Sequence, residues 1–209
     1  MVEKVFKNLR WLGHDAFLLR AAGKNIYFDP FQLGSGLPLA DLICISHAHY
    51  DHCSPADVLL IQQPSTLIIT ETEAAAKLSG KIMILGPGER REVEGIIIET
   101  VPAYNINKKF HPQGNCWLGF ILTVDGVRIY HAGDTDYIPE MKDIRADIAL
   151  LPVSGTYVMT AEEAAQAALV IGPKIAVPMH YAANVGSTDD AARFAAALVG
   201  KVRVEYGRG

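Results

Sequence analysis

Four side chains able to bind a metal ion stand within one short segment, His47-Ala48-His49-Tyr50-Asp51-His52. The segment follows directly on the apolar run Asp41-Leu42-Ile43-Cys44-Ile45-Ser46, so the four donors gather at the mouth of a strand. Imidazole and carboxylate in combination suit zinc, iron, manganese or nickel better than calcium or magnesium. Neighbouring side chains point in different directions, so the segment cannot wrap two ions. It can give two ligands to each of two: His47 and His49 to one, Asp51 and His52 to the other. The remaining ligands must come from elsewhere. Two later segments offer them, His131-Ala132-Gly133-Asp134-Thr135 and Pro178-Met179-His180-Tyr181, each starting where an apolar strand stops. Such strand ends form the usual rim of an α/β active site. His14 and Asp29 also stand near strand ends, where they could orient metal-bound imidazoles or contact substrate; a buried structural histidine is the alternative for His14. His131 reads as pointing away from Asp134 or packing beneath it. Tyr50 and Tyr181 flank candidate ligands and read as packing residues rather than oxyanion donors.

The elements that must position these residues can be read from pattern. Short strands are predicted over 9–12, 16–20 and 26–29, with Gly13 and Ala22-Gly23-Lys24-Asn25 as turns, then a loop over 31–39. The apolar strand over 41–46 has the composition of one buried on both faces. A helix over 55–63 starts at Ser54 with Pro55 in its first position. A strand over 66–70, a helix over 71–78 and a strand over 82–85 come next. Strands over 95–101, 117–124 and 127–131 follow without helices between them, with Asp125-Gly126 as a tight hairpin. Alternation then resumes: strand 147–151, helix 160–171 with a Thr160/Glu163 capping box, strand 175–177, helix 188–199 and strand 202–205. The two halves share one layout. An α/β (α+β) fold of two mixed sheets packed face to face, flanked by helices in a four-layer αββα sandwich, accounts for it, as one domain over 1–209.

The whole chain has 209 residues, 50% hydrophobic and 20% charged, with a formal net charge of −4. That balance excludes intrinsic disorder and gives no electrostatic footprint for nucleic acid or an anionic membrane. No apolar run reaches the roughly 18 residues of a membrane span. Cys44, Cys53 and Cys116 are odd in number and unpatterned, which argues for reduced thiols. The first residues lack the features of a targeting signal, so a cytoplasmic location is expected.

His-x-His-x-Asp-His, then Gly-Asp-Thr, then a strand-end histidine, in this order, resemble the metallo-β-lactamase superfamily, and the likeness runs over essentially the whole chain. Trp11-Leu12-Gly13-His14 and Phe28-Asp29-Pro30 are similar to a subgroup of small single-domain hydrolases that holds the ascorbate-6-phosphate lactonase-like and uncharacterised metal-dependent hydrolases. The resemblance implies two divalent ions, zinc first, with manganese, iron or nickel as alternatives. It implies His47 and His49 on the first, Asp51, His52 and His180 on the second, and Asp134 between them. It further implies a metal-bridged hydroxide that attacks a small ester, lactone or phosphodiester, with Asp51 as proton shuttle.

One departure stands out. The family supplies a further histidine to the first ion from a strand end that here reads Thr100-Val101-Pro102-Ala103-Tyr104-Asn105. Either Asn105 serves as an oxygen ligand, or His111 folds back to fill the place, or the first site is weakened. In the same loop, Lys108 and Lys109 read either as a clamp for an anionic substrate group or as solvated residues. Two other functions fit the scaffold: a di-iron redox protein, argued against by His49 where such proteins usually carry Glu, and a metal-binding module without catalysis. A small-molecule substrate is expected, with no nucleic-acid or membrane partner.

Overall fold

The computed structural model describes residues 1–207, so the last two residues of the expected domain lie outside the described residues. It opens with a helix absent from the sequence reading, α1 (Val2–Lys7), whose six residues are too few to establish a helical period, although Val2, Val5 and Phe6 dock on the core. A first sheet is then laid down in chain order by β1 (Leu9–Gly13), β2 (Ala16–Ala21), β3 (Lys24–Phe28), β4 (Leu42–Cys44), β5 (Leu67–Thr70) and β6 (Lys81–Ile84). Helices α2 (Pro55–Ile61) and α3 (Thr72–Ala75) lie in its crossovers. The second sheet contains β7 (Arg90–Val93), β8 (Ile96–Pro102), β9 (Leu118–Val124), β10 (Val127–His131), β11 (Ile148–Pro152), β12 (Ile175–Met179) and β13 (Arg203–Val204), with helices α4 (Ala161–Ile171) and α5 (Thr188–Leu198).

Period-two alternation assigns the faces. In the first sheet, Phe17, Leu19, Ile26, Phe28, Cys44 and Ile69 join the main core, which also contains Ile98, Phe120 and Leu122 of the second sheet. Their neighbours Leu18, Tyr27, Ile43 and Ile68 point the other way, onto Val58 and Ile61 of α2. On the second sheet α4 and α5 pack on each other and against β11 and β12. The layers are therefore helices, sheet, sheet, helices, as expected. Each fully buried Phe or Ile in this core contributes about 1.5–3 kcal/mol through burial.

Local chemistry explains most boundaries. Ser54 accepts from the Asp57 amide at 3.3 Å, and Thr160 and Glu163 close the expected capping box. The helix predicted over 71–78 is a single turn, held by the Glu71 carboxylate on the Ala74 amide at 2.8 Å. The sequence reading lacks β7, an edge strand with three exposed charged residues and no alternation; such charge suits an edge that must not pair further.

Both sheets change character half-way. β1, β2 and β3 pair antiparallel and β3 to β6 parallel; β7 to β10 pair antiparallel and β10 to β13 parallel. As a result β1, β3 and β4 of one sheet end on one side, as do β8, β10, β11 and β12 of the other. Every candidate site residue lies just past one of these ends.

Candidate metal centre

The rim begins with Asp29, one residue past β3, in the left-handed region at φ 38°. Its Oδ1 accepts from the Ser46 amide at 2.7 Å, and its Oδ2 from the Ser46 hydroxyl at 2.6 Å and the His52 Nδ1 at 2.8 Å. Because Ser46 gives its hydroxyl hydrogen to Asp29, its oxygen is left to accept from His47 Nδ1, 2.9 Å away. One buried carboxylate thus fixes two rings: His52 directly and His47 through Ser46. Each ring is left with its Nε2 lone pair facing inward. Gly133 permits the opposite wall to approach. At φ 62° it lies so close that a Cβ would meet the Leu118 carbonyl at 2.7 Å and Ser46 Cβ at 3.1 Å.

The loop after β8 turns the His111 ring, and not the Asn105 side chain, toward Asp134. The Asn105 side-chain oxygen accepts from the His111 amide at 3.0 Å and from its Nδ1 at 3.1 Å, and the Tyr157 carbonyl lies 3.2 Å from the same ring nitrogen. Asn105 is therefore spent on orienting His111, whose Nε2 points at Asp134 Oδ2, 3.0 Å away. His47, His49, His111 and Asp134 bring one donor atom each within 4.8 Å of one another. The clamp reading of Lys108 is corrected: its ammonium lies 2.5 Å from buried Asp136, which also accepts from Asn105 Nδ2 at 3.1 Å and the Ile106 amide at 2.8 Å. Its charge is used inside the loop. Lys109 makes no hydrogen bond or ion pair among the described residues and lines a separate groove beside His49 and Trp117.

Asp134 stands between two groups. Its Oδ2 faces His111 and also His180 Nε2 at 3.3 Å, while its Oδ1 faces His52 Nε2 at 3.3 Å. His180, past β12 at φ 60°, has its other ring nitrogen 2.8 Å from the Ser154 hydroxyl. His52, His180 and His14 form a second compact group of donors. Asp51 belongs to neither group among the described residues; its Oδ2 lies 3.3 Å from His14 Nε2, and it lines the cavity. His131 is buried, stacks on Phe28 at 5.0 Å and bonds the Asp15 carbonyl through Nε2 at 2.9 Å. Tyr50 is exposed and Tyr181 stacks on Trp11, so both are packing or surface residues.

Four contributors were invisible to sequence reasoning: Ser46, Ser154, Asp136 and Asp15. The serine at a strand end beside His47 was the only available signal. Asp15 is fully buried, and neither of its oxygens has a hydrogen-bond partner. The same holds for His52 Nε2, His111 Nε2, both nitrogens of His14 and Asp134 Oδ1. A buried polar atom left unpaired costs about 1–3 kcal/mol, more when charged. Seven of the eight such atoms in the described chain converge here, and a divalent cation is the partner their chemistry fits.

The electrostatics differ across the site. Burial, with His52 adding to it, holds the His47 imidazole well below its ordinary pKa, in the neutral form that ligates metals. Burial opposes charge on His52 too, but Asp134 and Asp29 outweigh it and hold that ring well above the ordinary value. Burial is likewise outweighed at Asp134, kept ionised by His180 and His52, and at Asp51, kept ionised by His14 and His52. Burial pushes Asp15 up. The cavity above the groups measures about 310 Å³ and is lined by Phe110, Tyr157, Asn184 and Val185 besides His49, Tyr50, Asp51, His111, Asp134 and His180.

Residues 8–180 match the β-lactamase superfamily domain. The chain belongs to this superfamily. Within it, the chain is 36% identical over 188 residues to a UPF0173 metal-dependent hydrolase of Methanoculleus marisnigri, covering 83% of this chain and 80% of that one. It is 35% identical over 192 residues to the corresponding protein of Archaeoglobus fulgidus, covering 83% and 82%. A crystal structure from Parabacteroides distasonis superposes with a TM-score of 0.87 at 35% identity, covering 95% of this chain and 91% of that one. Igni18, a metallo hydrolase of Ignicoccus hospitalis, superposes with a TM-score of 0.76 at 26% identity, covering 96% and 94%. The chain is thus a metal-dependent hydrolase of the β-lactamase superfamily. No described helix is long and apolar enough to cross a membrane.

Proposed function

We propose that this β-lactamase superfamily member is a binuclear hydrolase of small, uncharged carboxylic esters or lactones, acting in the cytoplasm as one domain. The observation that carries the reading is the placement of Asp134, with one oxygen toward His52 and the other toward His111 and His180. His47, His49 and His111 would hold the first ion and His52 and His180 the second, with Asp134 between. Bound there, zinc or a similar ion supplies Lewis acidity and lowers the pKa of a water molecule toward neutrality.

The chain's own groups supply the rest. Asp51, ionised and facing the cavity, accepts the proton released as water attacks the carbonyl carbon, and returns it to the leaving alkoxide. Asp29, Ser46 and Asn105 keep the rings in one tautomer and orientation. Phe110, Tyr157 and Val185 exclude water and give the substrate an apolar seat. Among the described residues the cavity lining contains no Lys or Arg, and Lys108 is bound to Asp136, which favours a neutral ester or lactone over a phosphodiester.

The test is elemental analysis of the purified protein paired with a panel of esters, lactones and phosphodiesters. Two zinc ions per chain and turnover of an ester or lactone, lost in Asp51→Ala, are expected. Unchanged turnover in Asp51→Ala, or a phosphodiester preferred over every ester, would overturn the mechanism or the substrate class respectively. Bound iron with dioxygen or nitric oxide reduction would establish the redox alternative instead.

A further inference from the structure

The rings of His47, His49 and His111 stand steeply inclined to one another, with centroids 4.7, 5.3 and 5.1 Å apart. Two of the three are braced by oxygens, His47 by Ser46 and His111 by Asn105 and Tyr157. His49, the least buried, hydrogen-bonds only to His47 among the described residues, Nδ1 to Nε2 at 3.0 Å. That contact is lost once His47 Nε2 gives its lone pair to an ion. The indole of Trp117 also packs on the His49 ring, at 4.7 Å and 74°. It lies 4.7 Å from the His47 ring and 5.4 Å from the His111 ring as well, so one buried side chain touches all three imidazoles. Its place is fixed from three directions. The Trp117 carbonyl accepts from the Ala103 amide at 3.0 Å, the adjoining Leu118 amide donates to the Ser46 carbonyl at 3.0 Å, and the indole Nε1 donates to Glu73 Oε2 at 3.3 Å. Trp117 lines the groove of Lys109 and not the substrate cavity, whereas His111 and Asp134 line the cavity and not the groove. The indole is the wall between them.

We propose that Trp117 is a positioning residue for the first ion. Its indole orients His49 by packing, as Ser46 and Asn105 orient the other two rings by hydrogen bonding, and it seals the ion from water in the groove. The inference rests on the binuclear reading above. It has two chemical consequences. With the groove side closed, any open position of the first ion faces the cavity, where the substrate binds. An apolar wall behind the ligands also keeps water away from the ion and from Asp134, which strengthens their attraction. Glu73, exposed in α3, acts on the ion at one further remove, by holding the indole in place.

The test titrates metal-free protein with zinc, following stepwise affinity by calorimetry, and with cobalt, following the visible absorption of each bound ion. Four-coordinate cobalt absorbs more strongly than five- or six-coordinate cobalt, so entry of water is visible directly. Trp117→Ala removes the wall, Trp117→Leu keeps an apolar side chain there should the alanine variant not fold, and Trp117→Phe restores a ring. Circular dichroism verifies the fold of each. Two ions per wild-type chain are expected. In Trp117→Ala and Trp117→Leu one zinc step should weaken about 10–100-fold while the other stays as it was, and the cobalt absorption of the weakened ion should fall. Trp117→Phe should recover most of the affinity, and Glu73→Ala should give a smaller loss at the same step. Unchanged zinc steps and cobalt absorption in folded Trp117→Leu would overturn the role of Trp117. So would equal weakening of both steps, the result of a merely structural role. A single ion in the wild type would instead overturn the binuclear reading, and Trp117 would then stand or fall on whether that ion weakens in its variants.

Discussion

In the group formed by His47, His49 and His111, the outward ring nitrogens rest on neutral partners, the Ser46 hydroxyl for His47 and the Asn105 and Tyr157 oxygens for His111. In the group formed by His14, His52 and His180, a carboxylate, Asp29, holds His52 directly, and a second, Asp15, lies unpartnered beside it. The pKa directions follow: His47 and His49 are held down, His52 and His180 up. Neutral bracing leaves a ring ready to ligate. Carboxylate bracing makes it a stronger donor that must first shed a proton. The two halves of one centre, built from the same side chain, are therefore tuned differently by what stands behind them.

That contrast can be broken at several points. Asp134→Ala removes the group shared by both clusters; it should abolish uptake of both ions and lower turnover by at least about 10²–10³-fold, read by elemental analysis and rate. Asp29→Ala frees His52 and, through Ser46, His47; zinc affinity should fall about 10–100-fold at both steps. Asn105→Ala frees only His111, so a similar loss should be confined to one step. Losses at both would show that His111 also supports the second group. Proton competition offers a gentler probe. Because His52 and His180 have raised pKa values and His47 and His49 lowered ones, acidification from pH 8 to 6 should weaken one zinc step far more than the other in calorimetric titrations.

Asp15→Asn gives the smallest effect and a definite sign. The folded pKa of Asp15 is raised, so the folded state holds its proton over a range where the unfolded state, near 3.9, has lost it. Stability of the chelator-treated protein therefore falls as pH rises through that range. The variant should be more stable than wild type by about 1–3 kcal/mol at neutral pH, and the gap should close below roughly pH 4 in urea melts. A variant less stable at pH 7 would mean that Asp15 has a structural partner.

The sequence was most legible where donors are contiguous and follow an apolar run. His47 to His52 and the strand before them needed no tertiary information, and neither did the Thr160 cap. The residues that resisted are those whose partners are distant in the chain. Asn105 could be read as a ligand or as nothing until His111 folded back onto it. Lys108 looked free because Asp136, 28 positions away, is an unremarkable turn residue on paper. Asp15 follows a glycine-histidine pair at a strand turn, and nothing in that pattern marks it. The first helix and the strand Arg90–Val93 were missed for the opposite reason: each is too short, or too evenly charged, to display a period.

The rim is also a seam in the covalent chain. His14, Asp15, Asp29 and His47 to His52 hang from the first sheet, whereas His111, Asp134 and His180 hang from the second. Any ion coordinated by donors from both lists is a crosslink between the two halves of the polypeptide, closed without a covalent bond. Its strength is set by free metal concentration, which adds about 4 kcal/mol at a thousandfold excess over the dissociation constant. The centre that would perform hydrolysis would then also act as a clasp on the sandwich.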